Sequence, residues 1–297
     1  MKISVLICTR NRAASLRETL KAVFALAPPA GYEYEVVVID NGSTDGTRVV
    51  IAELIAGLPL HQDKRLRYGY EPMPGLSHAR NAALRIAQGD VLVFIDDDIW
   101  PEASWLNEIY QEFAADPQLC LLGGRVLLAQ AHLQPVGIVT GEQRQTLTTP
   151  DGAAMVIGAN FAFRRSVVEQ IGGFDPRLGA GGLFAAGEDV DFVYRAMKAG
   201  HKLVYAPQAL VYHNHDRVSH EQACKLEFNY GHGSVAYFVK HILKGDLFAV
   251  KVTYWSLHRA LRQAMGRAAV SREMVERTRS YLRGFAKGLF PALVRMW

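Results

Sequence analysis

Cysteine is scarce. The three present, Cys8, Cys120 and Cys224, lie far apart, with no CxxC pair. That argues against a disulfide framework or a zinc knuckle and suits a reducing cytoplasm. Long apolar runs are missing as well. The opening Ile-Ser-Val-Leu-Ile-Cys turns polar at once in Thr9-Arg10-Asn11-Arg12, too soon for the h-region of a signal peptide. No stretch reaches the roughly 18 apolar residues of a membrane span. The expectation is a cytoplasmic protein, soluble or peripheral at the inner face of the membrane. There is no phosphate-binding P-loop and no G-x-S-x-G nucleophile elbow. Gly231-His-Gly233-Ser-Val-Ala236 fits G-x-G-x-x-A, but no strand precedes it and no βαβ unit surrounds it. No nucleic-acid recognition motif accompanies the basic residues, so nucleic acid is not an expected partner. Repeats and low-complexity segments are also absent.

What is present is an ordinary globular composition: 297 residues, 49% hydrophobic and 21% charged. That suffices for one large α/β domain with an appendage. Short apolar runs at Ile3–Cys8, Glu35–Ile39 and Val91–Ile95 read as buried strands, and Leu66–Glu71 as a weaker one. Helical periodicity fills the gaps: Arg12–Leu26, Thr47–Ile55, Ser77–Ala87 with Ser77 as N-cap, and a helix opened by Pro101. Pro28-Pro29 breaks the first helix. Alternation of this kind predicts a doubly wound, mostly parallel sheet. In such sheets ligands sit beyond the carboxyl ends of the strands. Thr9-Arg10-Asn11, Asp40-Asn41-Gly42 and Asp96-Asp97-Asp98 each follow a strand directly, so all three should meet at one edge.

After residue 118 the pattern changes. Leu119–Leu127, Ala153–Phe163 and Lys202–Tyr205 read as strands, Ser166–Ile171 and Glu188–Ala199 as helices. Gly172–Gly187 is a glycine-rich loop. From about Ser219 the chain is helical, with breaks expected at Gly231, Gly233 and Gly245. The expected organisation is a body over 1–215, divided at about residue 100 into a nucleotide half and an acceptor half, and a tail over 216–297.

Three clusters carry chemistry. Three adjacent carboxylates after a buried strand repel one another, and a divalent cation would neutralise them. Oxygen ligands suit Mg²⁺ or Mn²⁺, with substrate phosphate completing the sphere. The alternative is a solvated turn in which one Asp caps the next helix. Glu188-Asp189 opens a helix after the glycine loop. Either it complements the helix dipole, or it supplies a general base for a sugar hydroxyl. His213 and His215 offer a further ligand, with His213 favoured; if the segment is a strand, the two point to opposite faces.

Taken together these clusters resemble family 2 glycosyltransferases with the GT-A fold. The resemblance is carried by Ser4 to Arg12, Val37 to Asp45, Gly75 to Asn81, Val93 to Asp98, and Gly172 to Asp175 followed by Gly187 to Phe192. It implies an inverting, metal-dependent hexosyltransferase that uses a nucleoside diphosphate sugar, with a leaning to UDP. Thr9, Arg10 and Asn11 would line the nucleotide pocket. Asp40 would accept a hydrogen bond from the base, and Asn41 and Gly42 would shape the turn. Gly75 and Arg80 would sit beside base and phosphates. Asp96 and Asp98 would form the D-x-D pair, Asp98 on the metal and Asp96 on the ribose or on the metal through water. Asp189 would be the catalytic base, Glu188 an acceptor contact and His213 a metal ligand. Asp97 in the middle of the D-x-D is a departure that leaves the ligand choice open. A sugar-phosphate nucleotidyltransferase is the runner-up, but no glycine-rich loop follows the first strand to hold a triphosphate. An inactive nucleotide-binding scaffold is the non-enzymatic alternative, disfavoured because Asp96, Asp98 and Asp189 are all present.

Charge is unevenly placed. Residues 251–297 hold ten Lys/Arg against two Glu, so the rest of the chain nets −4 of the overall +4. Tyr254, Leu257, Leu261 and Met265 recur at helical spacing among arginines, and Phe285, Leu289, Phe290, Val294 and Trp297 follow. A basic amphipathic segment with aromatics predicts contact with an anionic membrane surface. Packing on the body and an oligomer contact, such as a homodimer, are the alternatives. A saccharide or a lipid-linked acceptor in polysaccharide or glycolipid synthesis would suit such an enzyme.

Overall fold

A computed structural model describes residues 1–28, 31–57, 65–267 and 269–296. Pro29 and Trp297, named above, lie outside the described residues. Strands β1 (Lys2–Thr9), β2 (Glu33–Asp40), β3 (Leu66–Tyr70) and β4 (Val91–Asp96) alternate with helices α1 (Ala13–Phe24), α2 (Thr47–Gly57) and α3 (Leu76–Ile86). They pair in parallel in the order β3-β2-β1-β4. Both faces of these strands are covered, which is why they read as unbroken apolar runs. Outward of β4 the sheet is mixed. β8 (Asn160–Arg164) runs antiparallel to β4 and to β6 (Leu119–Leu128), while β9 (Lys202–His213) runs parallel to β6. Two short strands, β5 (Ile99–Pro101) and β7 (Gln145–Leu147), pair antiparallel with β9.

One side of the sheet is packed by α1, α2 and α4 (Trp105–Ala115), with Leu16, Leu20, Trp105 and Phe113 buried against it. The other side receives α3, α5 (Arg165–Ile171) and α6 (Glu188–Lys198). Its centre is an aromatic block of Phe94, Phe161, Phe163, Phe174 and Phe192. Three helices complete the chain: α7 (His220–Leu243), α8 (Leu247–Ala264) and α9 (Arg272–Arg295).

Several local expectations are corrected. Pro101 ends β5, and α4 begins only at Trp105. Ser77 is not an N-cap. Gly75 holds that position at φ 132°, and Ser77 Oγ instead donates to the Leu178 carbonyl at 2.7 Å. Residues 150–155 form a 3₁₀ turn, so the strand predicted from Ala153 starts at Asn160. β9 continues past Tyr205 to His213 because a register shift accommodates Pro207 beside Gly124. α7 runs unbroken through Gly231 and Gly233, and only Gly245, at φ 78°, ends a helix. The two glycines are there for packing. A Cβ on Gly231 would strike the Tyr281 carbonyl of α9, and one on Gly233 the Ala186 carbonyl. Gly284 of α9 approaches the Phe228 carbonyl in the same way. Bare backbone on both helices lets α7 and α9 lie in close contact.

Candidate active site

Register assembles the site. Cys8 lies opposite Asp96 and Thr9 opposite Asp40, so β1, β2 and β4 end side by side, as their polar termini predicted. β5 follows the carboxylate triplet immediately and pairs with β9, placing Ile99 opposite His213. That pairing delivers His213 to the triplet. The result borders a cleft of about 350 Å³, lined by Thr9, Arg10, Asn41, Gly75, Asp96, Asp98 and His213.

Asp96, Asp98 and His213 each offer a ligand atom within 4.8 Å of the others. Asp98 Oδ1 lies 3.1 Å from His213 Nε2, yet it receives no well-aligned hydrogen bond. His213 Nδ1 sits 3.0 Å from the Gly137 carbonyl. A proton on Nδ1 satisfies that carbonyl and turns the Nε2 lone pair toward Asp98, the arrangement of a metal-binding imidazole. Burial disfavours the imidazolium, but Asp98 and Asp96 outweigh it and raise the His213 pKa. Burial likewise opposes the Asp98 carboxylate, and His213 and Arg12 hold it below its usual range. The surrounding protein and the Asp98 charge push Asp96 up. Two carboxylates and one imidazole around an under-bonded oxygen fit a divalent cation.

Asp97 is already committed. It accepts from Thr9 Oγ1 at 2.6 Å and pairs with Arg12 Nε at 2.8 Å. Burial still pushes it up to about 7. Arg12 also reaches Asp98 Oδ2 at 2.6 Å. With Asp97 engaged, Asp96 and Asp98 are left facing the cleft. His215 follows β9 and stacks edge-on against His213, and its Nδ1 accepts from the Arg217 backbone. It is not part of the carboxylate group.

Other predicted residues shape the turns and walls around the cleft. Asp40 is buried; its oxygens accept from the Ser43 amide at 2.8 Å and the Tyr68 hydroxyl at 3.3 Å. Asn11, at φ 54°, ties its turn to Ser43 and Thr44. Asn41 accepts from the Gly75 amide and donates to the Glu71 and Met73 carbonyls, so it fixes the entry to α3. Arg80 is buried over Phe94, Phe161 and Phe174, donates to Glu188 Oε1 at 2.9 Å and lies 3.9 Å from Asp96. Glu188 therefore faces Arg80 rather than the cleft. Burial and Asp189 push it up to about 7 despite Arg80. Asp189 is partly exposed and accepts from the Gly158 amide at 2.6 Å and the Val190 amide at 2.8 Å.

Among the lining residues without a role in the sequence reading, four stand out. Ala180 and Gly181 of the glycine loop cross the cleft, with the Ala180 carbonyl accepting from the Leu76 amide. Arg217 lines the cleft and forms no ion pair among the described residues. Tyr230 comes from α7, so the tail contributes a wall of the site. Distance along the chain hid all four, although Arg217, two residues past His215, was within reach.

Comparison with known proteins bears on the fold and the family. A Pre-mycofactocin glycosyltransferase of Mycobacterium tuberculosis is 27% identical over 247 residues, covering 80% of this chain and 48% of that protein. The chain thus spans about half the length of that relative. Among solved structures, the mannosyltransferase PcManGT from Pyrobaculum calidifontis, in complex with GDP-Man and Mn²⁺, superposes with a TM-score of 0.65 at 22% identity. It covers 97% of this chain and 87% of its own. TarS 1-349 of S. aureus in complex with UDP-GlcNAc gives 0.62 at 18% identity, with 97% and 82% covered. The fold is of the GT-A type. The model of Glycosyl transferase family 2 matches residues 4–172, more than half of the chain, and that of Glycosyl transferase family group 2 matches 91–296. The chain belongs to glycosyl transferase family 2.

Proposed function

We propose that this protein moves a sugar from a nucleoside diphosphate sugar, with UDP favoured, to a hydroxyl of a saccharide or lipid-linked acceptor, inverting the anomeric centre. The observation that carries the reading is the under-compensated group Asp96, Asp98 and His213, set at the carboxyl ends of parallel strands beside a cleft. These three residues would hold Mn²⁺ or Mg²⁺, which when bound offsets charge developing on the departing diphosphate.

The chain's own residues do the rest. Thr9, Arg10, Asn41 and Gly75 border the nucleotide. Asp40 and Asn11 keep the two turns beneath it rigid. Arg80 lends positive charge from behind Asp96, and Glu188 holds Arg80 in place. Arg217 faces the cleft as a cation for the phosphates. Asp189 takes the proton from the acceptor hydroxyl. That oxygen bonds to the anomeric carbon as the bond to the diphosphate breaks on the opposite face. Residues 1–215 form the transferase body, Tyr230 of the tail completes the cleft, and residues 251–297 hold the enzyme at an anionic membrane surface.

The test is release of nucleoside diphosphate from UDP-, GDP- and TDP-sugars in an acceptor mixture, with Mn²⁺ and with EDTA. Mn²⁺-dependent release from one donor, and a product of opposite anomeric configuration by NMR, are expected. Absence of release from every donor overturns the reading.

A further inference from the structure

Helix α8 faces the unusual way round. Its small residues Ala249, Ala260 and Ala264 are buried. Phe248 and Val252 pack against the body, but other large apolar side chains of α8 and its C-cap stand out: Leu247 is 82% exposed, Tyr254 60%, Trp255 57% and Met265 53%. Leu247, Val250, Tyr254, Leu261 and Met265 are separated by three, four or seven residues, so they form a single stripe. Lys251, Arg259, Arg262 and Arg267 are exposed beside it. Single exposed apolar residues are common on proteins, but a continuous stripe of this kind marks a contact.

We propose that this face of α8 docks on an anionic lipid surface. The stripe asks for a partner that is apolar at depth and negative at its rim. Residues 251–297 carry a surplus of +8 charge, so a second copy of this chain would set like charges against each other. A polyanion such as nucleic acid would meet leucine, tyrosine and tryptophan first, and the arginines only beside them. A bilayer interface supplies both needs: acyl chains for the stripe, headgroups for the flanking cations, and the depth at which Tyr and Trp sit most favourably. α9 has a different task. Its glycine face is pressed on α7, and its C-terminal turn accepts from Arg177 at 2.8 Å through the Arg295 carbonyl. α9 also exposes Phe290 (75%) and Val294 (56%) near its C-terminus, but the stripe that runs the length of a helix among cations is on α8, and that stripe is the docking face proposed. The proposal rests on the transferase reading only where it supplies a reason, a lipid-linked acceptor, and the contact itself is separately measurable.

The full-length chain is floated with vesicles of phosphatidylcholine alone and of phosphatidylcholine with phosphatidylglycerol. Binding to the anionic vesicles only, weakened by high salt, is expected. Trp255→Ser with Leu261→Ser should lower the partition coefficient about tenfold or more. Should that variant fold poorly by circular dichroism, Arg259→Gln and Arg262→Gln, both at exposed positions, should each lower it about fivefold. Calorimetric binding of UDP with Mn²⁺ should be equal in all variants. Vesicle binding without binding of any of UDP, GDP and TDP in Mn²⁺ overturns the transferase reading and leaves the docking intact. Wild type that stays off anionic vesicles overturns the docking, as do variants that bind like wild type. A concentration-dependent dimer broken by the α8 substitutions also overturns it, because the face then belongs to a second copy.

Discussion

Two acidic clusters in this molecule are built on opposite terms. At the strand ends, Asp96 and Asp98 share one histidine, Arg12 reaches only Asp98 of the two, Arg80 stands 3.9 Å from Asp96, and Asp98 keeps an oxygen without an aligned donor. Farther along the chain, Asp191 is fully buried but meets Arg195 at 2.9 Å, Lys240 at 2.9 Å and His241 at 2.9 Å. Lys240 also reaches Asp175 at 2.8 Å, and Arg177 reaches the other face of Asp175. Burial raises carboxyl pKa values in both places. In the second cluster the surrounding cations overwhelm it and hold Asp191 and Asp175 far below the usual range. In the first, Asp96 stays raised. The difference teaches which cluster is finished within the chain. Saturated carboxylates join α6 and the glycine loop to α7; the unsaturated ones keep bonding capacity that the proposed cation would fill.

Substitutions should separate the two. The largest effect is expected from Asp189→Asn, which should slow transfer by about 10⁴-fold while UDP binding by calorimetry persists. Asp98→Asn should cost about a thousandfold in turnover and remove the response to Mn²⁺, with the thermal midpoint little changed. Asp191→Asn should do the reverse. Leaving His241 without its partner and Lys240 with Asp175 alone should destabilise the fold by about 3–5 kcal/mol in a denaturant titration. Molecules still folded should bind UDP.

Acid should reach the clusters differently. Asp191 and Asp175 have folded pKa values below their unfolded ones, so their contribution is complete above about pH 4 and fades as pH falls toward the folded values. Asp191→Asn should therefore flatten the acid limb of a stability–pH curve. A smaller effect is expected from Gly231→Ala, which should cost about 1–3 kcal/mol by pushing α9 off α7.

The sequence made the strand-end site legible because a parallel sheet converts position at a strand end into position in space. Thr9, Asn41, Asp96 and Asp98 could be grouped without coordinates for that reason. His213 was findable through its residue type, but its tautomer depends on the Gly137 carbonyl. The Asp191 cluster was not legible: Lys240 and His241 sit about 50 residues away on a helix whose placement no local pattern fixes. The same limit misread Gly231 and Gly233. A glycine in a helix signals a break when only the helix is considered, and here it signals a neighbouring backbone. Asp40 and Arg80 were found by type, but their burial behind the cleft depends on Tyr68, Ser43 and the phenylalanine block.

The central claim is that Asp96, Asp98 and His213 form one cation site that holds the donor's diphosphate. Calorimetric titration of UDP in Mn²⁺ and in EDTA, for wild type, His213→Ala and Asp98→Asn, tests it most directly. Binding in Mn²⁺ that is lost in EDTA, and lost in both variants, is the predicted result. Equal binding with and without the cation, or variants that respond to Mn²⁺ like wild type, would contradict it.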